Sequence, residues 1–301
     1  SLAENSTLVT TVTASDPDTV GTLVYSLAGG ADAALFAIDP ETGVLSFIAP
    51  PDYEAPGDAG EDNVYEVTVA VSDGNGGTDT QTINVTVTDT NDVAPVITSN
   101  EGGPTASVSL AENSTLVTTV TASDPDMVGT LVYSLAGGTD VAHFGINSVT
   151  GQLSFSSPPN FENPTDANTD NVYEVVVRVS DGVHETTQTI SVTVTNVNES
   201  PAITSEASVS VSENSTAVTT VTATDPDAGA TLAYSISGGP DAALFTIDET
   251  TGALSFVAPP DFESPADGDG NNTYQLTVLV SDGLGGTATQ NITVTVTNVN
   301  E

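Results

Sequence analysis

One long block of sequence occurs more than once, and this repetition limits the possible folds more than any other feature. The block Ser-Leu-Ala-Glu-Asn-Ser-Thr-Leu-Val-Thr-Thr-Val-Thr-Ala-Ser-Asp-Pro-Asp begins at Ser1 and is repeated unchanged from Ser109, and a close variant begins at Ser210. Its glutamate recurs after 108 and then 101 residues, at Glu4, Glu112 and Glu213. A period of this length is that of a whole domain, not of a solenoid turn. The sequence therefore predicts three tandem domains of one kind.

Proline-containing segments mark the predicted boundaries between the copies. The first copy runs into Asp-Thr-Asn-Asp-Val-Ala-Pro, which ends at Pro95, and the second runs into Asn-Val-Asn-Glu-Ser-Pro, which ends at Pro201. Proline resists continuing a paired strand. We therefore expect domains at residues 1–94, 95–200 and 201–301, joined by short linkers without a Gly/Ser tract.

Within each copy, apolar and polar residues alternate with a period of two, which is typical of half-buried strands. The apolar positions are Tyr65, Val67, Val69, Val71, Ile83, Val85 and Val87 in the first copy, and Tyr274, Leu276, Val278, Val280, Ile292, Val294 and Val296 in the third. No segment shows helical periodicity, and Val and Thr dominate the strands. With about seven strands per copy, the chain is predicted to be all-β: three Greek-key, Ig-like antiparallel β-sandwich domains in series, forming an elongated rod.

A hairpin is predicted in each copy. In the first, Leu35-Phe36-Ala37-Ile38 and Val44-Leu45-Ser46-Phe47 flank the turn Asp39-Pro40-Glu41-Thr42-Gly43. The corresponding turns end at Gly151 and Gly252. Proline and glycine at these places favour a tight reversal of the chain.

The charge of the chain excludes some partners and implies another. Arg178 is the one Lys or Arg against 41 Asp and Glu, which gives a formal net charge of −40. Such a field repels nucleic acid and anionic membranes. There are no cysteines to form disulfides, and no apolar run approaches the roughly 18 residues of a membrane helix, so no direct membrane insertion is expected. An ordered chain of this charge needs counter-ions, and divalent cations are the natural ones.

Four acidic signatures recur at fixed places in the copies. The first is a Glu-Asn pair at Glu4, Glu112 and Glu213, and the second is Asp-Pro-Asp ending at Asp18, Asp126 and Asp227. The third is an acid-aromatic-acid triplet at residues 52–54 and 261–263, which becomes Asn160-Phe161-Glu162 in the middle copy. The fourth is Ser-Asp-Gly at Asp73, Asp181 and Asp282, and the first linker adds Asp89-Thr90-Asn91-Asp92.

Together these signatures resemble the calcium-binding motifs of the cadherin family over essentially the whole chain. The triplet is similar to the family's Leu-Asp-Arg-Glu element without its arginine, and the first linker is similar to the family's Asp-x-Asn-Asp. The resemblance implies cadherin-like sandwich domains and a Ca²⁺ site at each junction between copies. At junction one it implies the ligands Glu4, Asp52, Glu54, Asp89, Asn91, Asp92, Asp124, Asp126 and Asp181. At junction two it implies Glu112, Asn160, Glu162, Asn198, Glu199, Asp225, Asp227 and Asp282.

The two junctions differ in charge. The first offers eight of these carboxylates and the second six, because Asn160 and Asn196 stand where the first copy has aspartate. We therefore expect weaker binding or fewer ions at junction two. The half-sites at the two ends are expected to bind poorly; they are formed by Asp16, Asp18 and Asp73, and by Glu213, Asp261 and Glu263.

A further acidic loop precedes the tyrosine strand of each copy, with oxygen-bearing side chains at alternate positions. A second prediction places an additional calcium there, with ligands drawn from Asp58, Asp62, Asp166, Asn168, Asp170, Asp267, Asp269 and Asn271. The glycine and the later glutamate of helical calcium loops are missing, so a solvated acidic loop is the alternative.

The predicted function is that of a calcium-dependent structural or adhesion module. Nothing indicates an enzyme, since no Gly-x-Ser-x-Gly turn or phosphate-binding loop is present and the two histidines, His143 and His184, occur in one copy alone. The near identity of the copies resembles the extender repeats of bacterial surface adhesins. We expect an extracellular or cell-surface location, with calcium, neighbouring repeats and a cell-surface protein or polysaccharide as partners. A carbohydrate-binding accessory module and a calcium-independent Ig-like spacer are the alternatives.

Overall fold

A computed structural model describes residues 1–18 and 20–300 of the chain. Three tandem β-sandwiches, one for each copy of the repeat, account for its ordered elements. The helices among these residues are single 3₁₀ turns, and none is long and apolar enough to cross a membrane. The predicted all-β class is therefore confirmed.

The first repeat forms two sheets and one 3₁₀ turn at Ala33–Leu35. Its strands are β1 Leu2–Ala3, β2 Leu8–Thr11, β3 Val24–Gly29, β4 Phe36–Ile38, β5 Val44–Phe47, β6 Val64–Ser72 and β7 Thr78–Thr88. One sheet has the order β1-β7-β6-β3 and the other has the order β2-β5-β4. The edge strand β1 pairs with β7 in parallel, whereas the other pairs of this repeat are antiparallel.

The second repeat adds a short third pair of strands to this plan. Its strands are β8 Val96–Ile97, β9 Thr105–Ala111, β10 Leu116–Thr119, β11 Ala122–Ser123, β12 Val132–Gly137, β13 Phe144–Ile146, β14 Gln152–Phe155, β15 Val172–Ser180 and β16 Glu185–Thr195. The sheets have the orders β12-β15-β16-β9, β10-β14-β13 and β11-β8. The 3₁₀ turns are Asn100–Gly102 and Val141–His143.

The third repeat has the same plan as the second. Its strands are β17 Ala202–Ile203, β18 Ser208–Ser212, β19 Ala217–Thr220, β20 Ala223–Thr224, β21 Ala233–Gly238, β22 Phe245–Ile247, β23 Ala253–Phe256, β24 Thr273–Ser281 and β25 Thr287–Thr297. The sheets have the orders β18-β25-β24-β21, β19-β23-β22 and β17-β20, and β18 pairs with β25 in parallel. Its 3₁₀ turn is Ala242–Leu244.

By its internal packing the chain divides into two compact units. The first comprises Ser1–Val108, Thr115–Ser157 and Val172–Thr193, and the second comprises Ser109–Ser114, Pro158–Asn171 and Val194–Glu301. The ligands predicted for junction one all belong to the first unit, and those predicted for junction two all belong to the second. The predicted ligands of each junction therefore lie within one compact unit. The predicted domain boundaries at residues 94 and 200 stay predictions.

The predicted alternation places the core in each sandwich. In the first repeat Tyr65, Val67 and Val69 are buried, while Val71 and Ile83 are half-buried. In the third repeat all seven predicted positions are buried, from Tyr274 to Val296. The third repeat has the additional pair β17-β20, whose strand β17 lies against β25. Ile203 of β17 packs against the core of the third repeat.

The predicted hairpin forms β4 and β5 with the expected register, since Phe36 pairs with Phe47 and Ile38 with Leu45. Leu35 lies outside the strand and ends the preceding 3₁₀ turn. The turn requires glycine at residue 43, because its φ is +68° and an added Cβ would lie 2.3 Å from the Val12 carbonyl oxygen.

Candidate metal centres

A buried glutamate joins three segments of the chain at the start of each junction. In the first unit Glu4 is 3% exposed; its Oε2 accepts the Tyr53 amide at 2.7 Å, and its Oε1 accepts the Thr90 amide at 2.7 Å. In the second unit Glu112 accepts the Phe161 and Val197 amides at 2.9 and 2.8 Å. The glutamate thus fixes the triplet loop and the linker relative to the first strand.

Two backbone amides of the first linker are held by an aspartate of the second repeat. The Asp92 and Val93 amides both donate to Oδ2 of Asp126 at 3.0 Å. In the opposite direction, the Met127 amide donates to Oδ2 of Asp89 at 2.6 Å. This exchange positions the Asp-Pro-Asp segment against the linker, so the predicted ligands converge.

Three overlapping groups of carboxylates form at junction one. Within each group, one oxygen per residue lies within 4.8 Å of the others, in the sets Glu4, Glu54 and Asp89; Glu54, Asp92 and Asp126; and Asp124, Asp126 and Asp181. Seven of the nine predicted ligands are therefore brought together. Asp52 is exposed and its Oδ1 caps the Ala55 amide at 3.0 Å, and Asn91 lies beside His184.

Several oxygens of these groups are buried without a hydrogen-bond partner. They are Oε1 of Glu54, Oδ1 of Asp89, Oδ1 of Asp126 and Oδ2 of Asp181. A buried carboxylate oxygen without a partner is costly, and a cation removes that cost. Calcium takes six to eight oxygen ligands in flexible geometry, so these residues fit calcium.

Burial and mutual repulsion raise the pKa of two of these carboxyl groups. Burial, followed by the charges of Glu4, Asp126 and Asp89, raises the pKa of Glu54 from 4.5 to about 7. Burial is also the main cause of the raised pKa of Asp124. Burial raises the pKa of Asp181 as well, but the amides of Val183 and His184 outweigh it and leave that pKa below its ordinary value. When ionised, these carboxylates therefore repel one another, and a bound divalent cation would offset that repulsion.

Junction two contains one carboxylate group instead of three among the described residues, formed by Glu112, Glu162 and Glu199. Both carboxylate oxygens of Glu162 and Oδ2 of Asp225 are buried without a partner. Both carboxylate oxygens of Asp282 accept hydrogen bonds: Asn198 donates to its Oδ2 at 2.8 Å and the Leu284 amide donates to its Oδ1 at 2.7 Å.

The remaining predicted ligands of junction two serve local contacts. Oδ2 of Asp227 accepts the Glu199 amide at 2.7 Å, as Asp126 does at junction one. Oδ1 of Asn160 accepts the Asn163 amide at 2.6 Å. The second site therefore has a linker geometry similar to the first but a smaller set of carboxylates.

The two end half-sites differ from each other. At the start of the chain Asp18 is exposed and Asp73 is half-buried, and neither belongs to a carboxylate group in the described structure. In the third repeat Glu213, Asp261 and Glu263 do form a group, although Asp261 and Glu263 are exposed. Solvent screens exposed carboxylates, so weak binding at both ends stays the expectation.

The acidic loops use their first aspartate as a turn cap. Asp58 is 4% exposed and accepts the amides of Gly60 and Asp62 on Oδ2 at 3.1 and 3.0 Å, and the Asn63 amide on Oδ1 at 3.1 Å. Burial raises the pKa of Asp58, but the amide donors outweigh it and lower the pKa overall. In the other repeats Asp166 and Asp267 accept the Asp170 and Asn271 amides, each at 2.8 Å. An additional calcium in these loops stays a prediction.

Another buried aspartate of each repeat was missed by the sequence analysis. Asp32 is 5% exposed, and its two carboxylate oxygens accept the Ala59 and Glu66 amides, each at 2.7 Å. Its equivalents Asp140 and Asp241 are 4% and 6% exposed. The recurrent Gly-Gly-x-Asp motif that precedes each 3₁₀ turn was the available signal. These aspartates tie the acidic loop to the tyrosine strand.

Comparisons with known proteins point to one family. The family model of the cadherin domain matches residues 1–88, 106–195 and 207–297. Human protocadherin Fat 1 is 31% identical over 97% of this chain, and human protocadherin Fat 4 is 29% identical over 91%. The chain corresponds to 6% and 5% of the lengths of those two proteins. The crystal structure of mouse cadherin-23 EC22-24 aligns with a TM-score of 0.55 and 26% identity, over 99% of this chain and 95% of that one. These relatives come from animals, so they support the family and not the narrower resemblance to bacterial adhesins.

Proposed function

Because this chain belongs to the cadherin domain family, we propose that it is an ectodomain module of an adhesion protein whose repeats are held in order by calcium. The observation that carries the proposal is the convergence of carboxylates from three segments at junction one, with buried oxygens that lack partners. Turn residues exposed to water would not leave carboxylate oxygens buried and unpaired.

The residues that would hold the ions are those of the three carboxylate groups at junction one and of the single group at junction two. When bound, calcium supplies positive charge that neutralises these groups. The chain itself supplies the positioning. Glu4 holds the triplet loop and the linker, and Asp126 holds the linker amides, so these contacts keep the proposed ligand oxygens of adjacent repeats near one another. Ion binding and the order of neighbouring repeats are thereby linked.

The cation favoured by this arrangement is calcium rather than magnesium. Magnesium needs a small, nearly ideal octahedron and retains several waters. The groups at junction one share Glu54 and Asp126, so these two carboxylates would bridge neighbouring ions in a crowded, irregular cluster. Calcium tolerates such bridging and irregularity because its coordination is flexible.

We place the parent protein at the cell surface, where the array projects or mediates adhesion through neighbouring repeats and a surface protein or polysaccharide. The extracellular concentration of calcium suits a site built from carboxylates. The exact repetition of residues 1–18 at 109–126 supports an extender role, as in bacterial surface adhesins, within the broader family. The module is proposed to have no catalytic activity of its own.

The alternative of a carbohydrate-binding module has less support. Such a module needs an exposed aromatic platform, but twelve of the chain's fifteen Phe and Tyr side chains are buried in the sandwiches. Tyr53, Phe161 and Phe262 are half-buried in the triplet loops. Among the described residues no Phe or Tyr is fully exposed, which disfavours an aromatic platform for a sugar.

The experiment that tests the proposal compares the protein in millimolar calcium with the protein in chelator, by small-angle X-ray scattering and thermal melting. We expect a better-defined maximum dimension and a higher melting temperature in calcium, while magnesium at the same concentration has a smaller effect. If shape and melting are the same in calcium and in chelator, the calcium mechanism is wrong and the Ig-like spacer is supported.

A further inference from the structure

An imidazole lies beside the acidic cluster of the first unit, at a position where the other repeats have glycine. Nδ1 of His184 is 3.3 Å from Oδ1 of Asn91 and 3.8 Å from Oδ2 of Asp181. The His184 carbonyl accepts the Asp181 amide, and the equivalent carbonyls belong to Gly77 and Gly286. The middle repeat therefore places a nitrogen atom that could bind a metal at junction one, and the other repeats have no side chain at the equivalent position.

The turn that carries His184 is shorter than its counterparts. Three positions separate Asp181 from His184, whereas four separate Asp282 from Gly286. An added Cβ at Gly286 would lie 2.2 Å from Oδ2 of Asp282 and 2.6 Å from the Glu199 carbonyl oxygen, so no side chain fits there. The shorter turn of the middle repeat removes this conflict and admits a ring.

The backbone of His184 is held in place by its neighbours. Its amide donates to Oδ1 of Asp181 at 2.7 Å, and Oγ of Ser180 donates to its carbonyl at 2.8 Å. The Asp181 side chain is fully buried, and its Oδ2 has no hydrogen-bond partner. An unsatisfied carboxylate oxygen, an amide oxygen and an imidazole nitrogen therefore approach one another.

We propose that His184, Asp181 and Asn91 form a mixed nitrogen and oxygen site that binds a zinc-like divalent cation. Imidazole is a good ligand for zinc and nickel, whereas calcium selects oxygen ligands. The inference rests on the proposed function in one respect, since Asp181 is also a proposed calcium ligand and the two cations compete for it. Junction one then responds to two kinds of metal, and junction two responds to calcium alone.

The test is a titration of calcium-free protein with Zn²⁺ by calorimetry, repeated in saturating calcium. Replacement His184→Gly introduces the residue that the other two repeats have at this place. We expect it to weaken zinc binding by about tenfold or more, since even outer-shell changes at metal sites cost that much. The matched control His143→Gln alters the other histidine, which packs on Tyr173, and should leave zinc binding unchanged. Calcium should weaken the apparent zinc affinity of the unaltered protein.

A second readout keeps the test decisive if the glycine variant folds poorly. In the NMR spectrum of the unaltered protein, zinc should shift the imidazole signals of His184 and not those of His143. The inference is overturned by the absence of saturable zinc binding, by equal zinc affinity in the His184→Gly variant, or by unmoved His184 signals. Zinc binding that depends on His184 in a protein indifferent to calcium would sink the proposed function and leave this site standing.

Discussion

Glu4 and Thr90 lie 86 residues apart in the chain and are joined by a 2.7 Å hydrogen bond from the Thr90 amide to Oε1 of Glu4. The Thr90 hydroxyl reaches the same oxygen at 3.2 Å. The residue that follows the first strand of the repeat therefore holds the linker that follows its last strand. This contact fixes the position of the acidic residues beside Thr90, which face the next repeat.

Replacement Glu4→Ala should destabilise the calcium-bound protein. The Tyr53 and Thr90 amides lose their acceptor in a buried place, and we expect a loss of about 3 kcal/mol in the free energy of unfolding. Urea denaturation measures it. Glu41→Ala removes an exposed glutamate from the hairpin turn and should cost less than about 0.5 kcal/mol. Equal losses in the two variants would contradict the positioning role of Glu4.

Replacement Asp126→Asn should weaken calcium binding by about tenfold, because ligand charge helps to set affinity. Asp126 belongs to two of the three carboxylate groups at junction one. Its equivalent in the first repeat is Asp18, which is exposed and outside any carboxylate group of the described chain. Asp18→Asn is therefore the matched control and should leave calcium affinity unchanged in a calorimetric titration. The same loss in both variants would mean that the charge of the chain matters and the cluster does not.

Junction two should bind fewer ions, or bind them more weakly, than junction one. Its single carboxylate group offers less ligand charge than the three groups at junction one, and Asp282 must give up its hydrogen bond from Asn198 to bind an ion through Oδ2. A calorimetric calcium titration measures the affinity and the number of ions at each step. Equal affinity and ion number at the two junctions of the unaltered protein would refute this prediction.

The calcium-free protein should lose stability as the pH rises from 5 to 8. The pKa of Glu54 is about 7 in the folded chain against an ordinary 4.5, so the folded state binds its proton more tightly than the unfolded state. The stabilising contribution is complete below about pH 4.5 and is lost as the pH passes through about 7. Melting in chelator across this range measures it, and Glu54→Gln should flatten the profile. In calcium the trend should reverse, because protons and calcium compete for the same oxygens.

Replacement Gly43→Ala should destabilise the first repeat by about 3 kcal/mol, because the left-handed backbone and the contact with the Val12 carbonyl both oppose a side chain. Gly74 has a similar φ of +76° but no atom within 4 Å of an added Cβ. Gly74→Ala should therefore cost only the conformational part, about 1 kcal/mol. Thermal melting of the two variants separates the two effects, and identical melting temperatures would show that the close approach to Val12 is relieved without cost.

The sequence predicted the sandwich well, because period-two alternation reports directly which face of a strand is buried. Tyr65, Val67 and Val69 illustrate this. The parallel pairing of β1 with β7 was not predictable in the same way. Which strand lies beside a given edge depends on the path of the chain, and a two-residue strand carries too little pattern to show it.

The sequence indicated which acidic motifs meet at junction one. It did not indicate which residue of each motif joins a carboxylate group and which one caps a local turn. In the triplet Asp52-Tyr53-Glu54, the aspartate points to a local turn and the glutamate joins two carboxylate groups. Spacing alone does not separate them, since both acids flank the same aromatic residue. Asp58, a predicted ligand of the acidic loop, also accepts three backbone amides of its own turn, and its role as a calcium ligand stays a prediction. Backbone amides compete for carboxylates, and the sequence does not reveal where they are.

The middle repeat contributes Glu112 to the second unit and Asp126 to the first, although these residues are only fourteen positions apart. The repeated unit of the sequence is therefore not the unit of the proposed metal site. The sequence repeats one sandwich domain, but each proposed site combines the end of one copy with the beginning of the next. If one whole copy is inserted or lost, the end of one copy still meets the beginning of another. An array built in this way would keep a complete junction whenever one whole copy is added or removed.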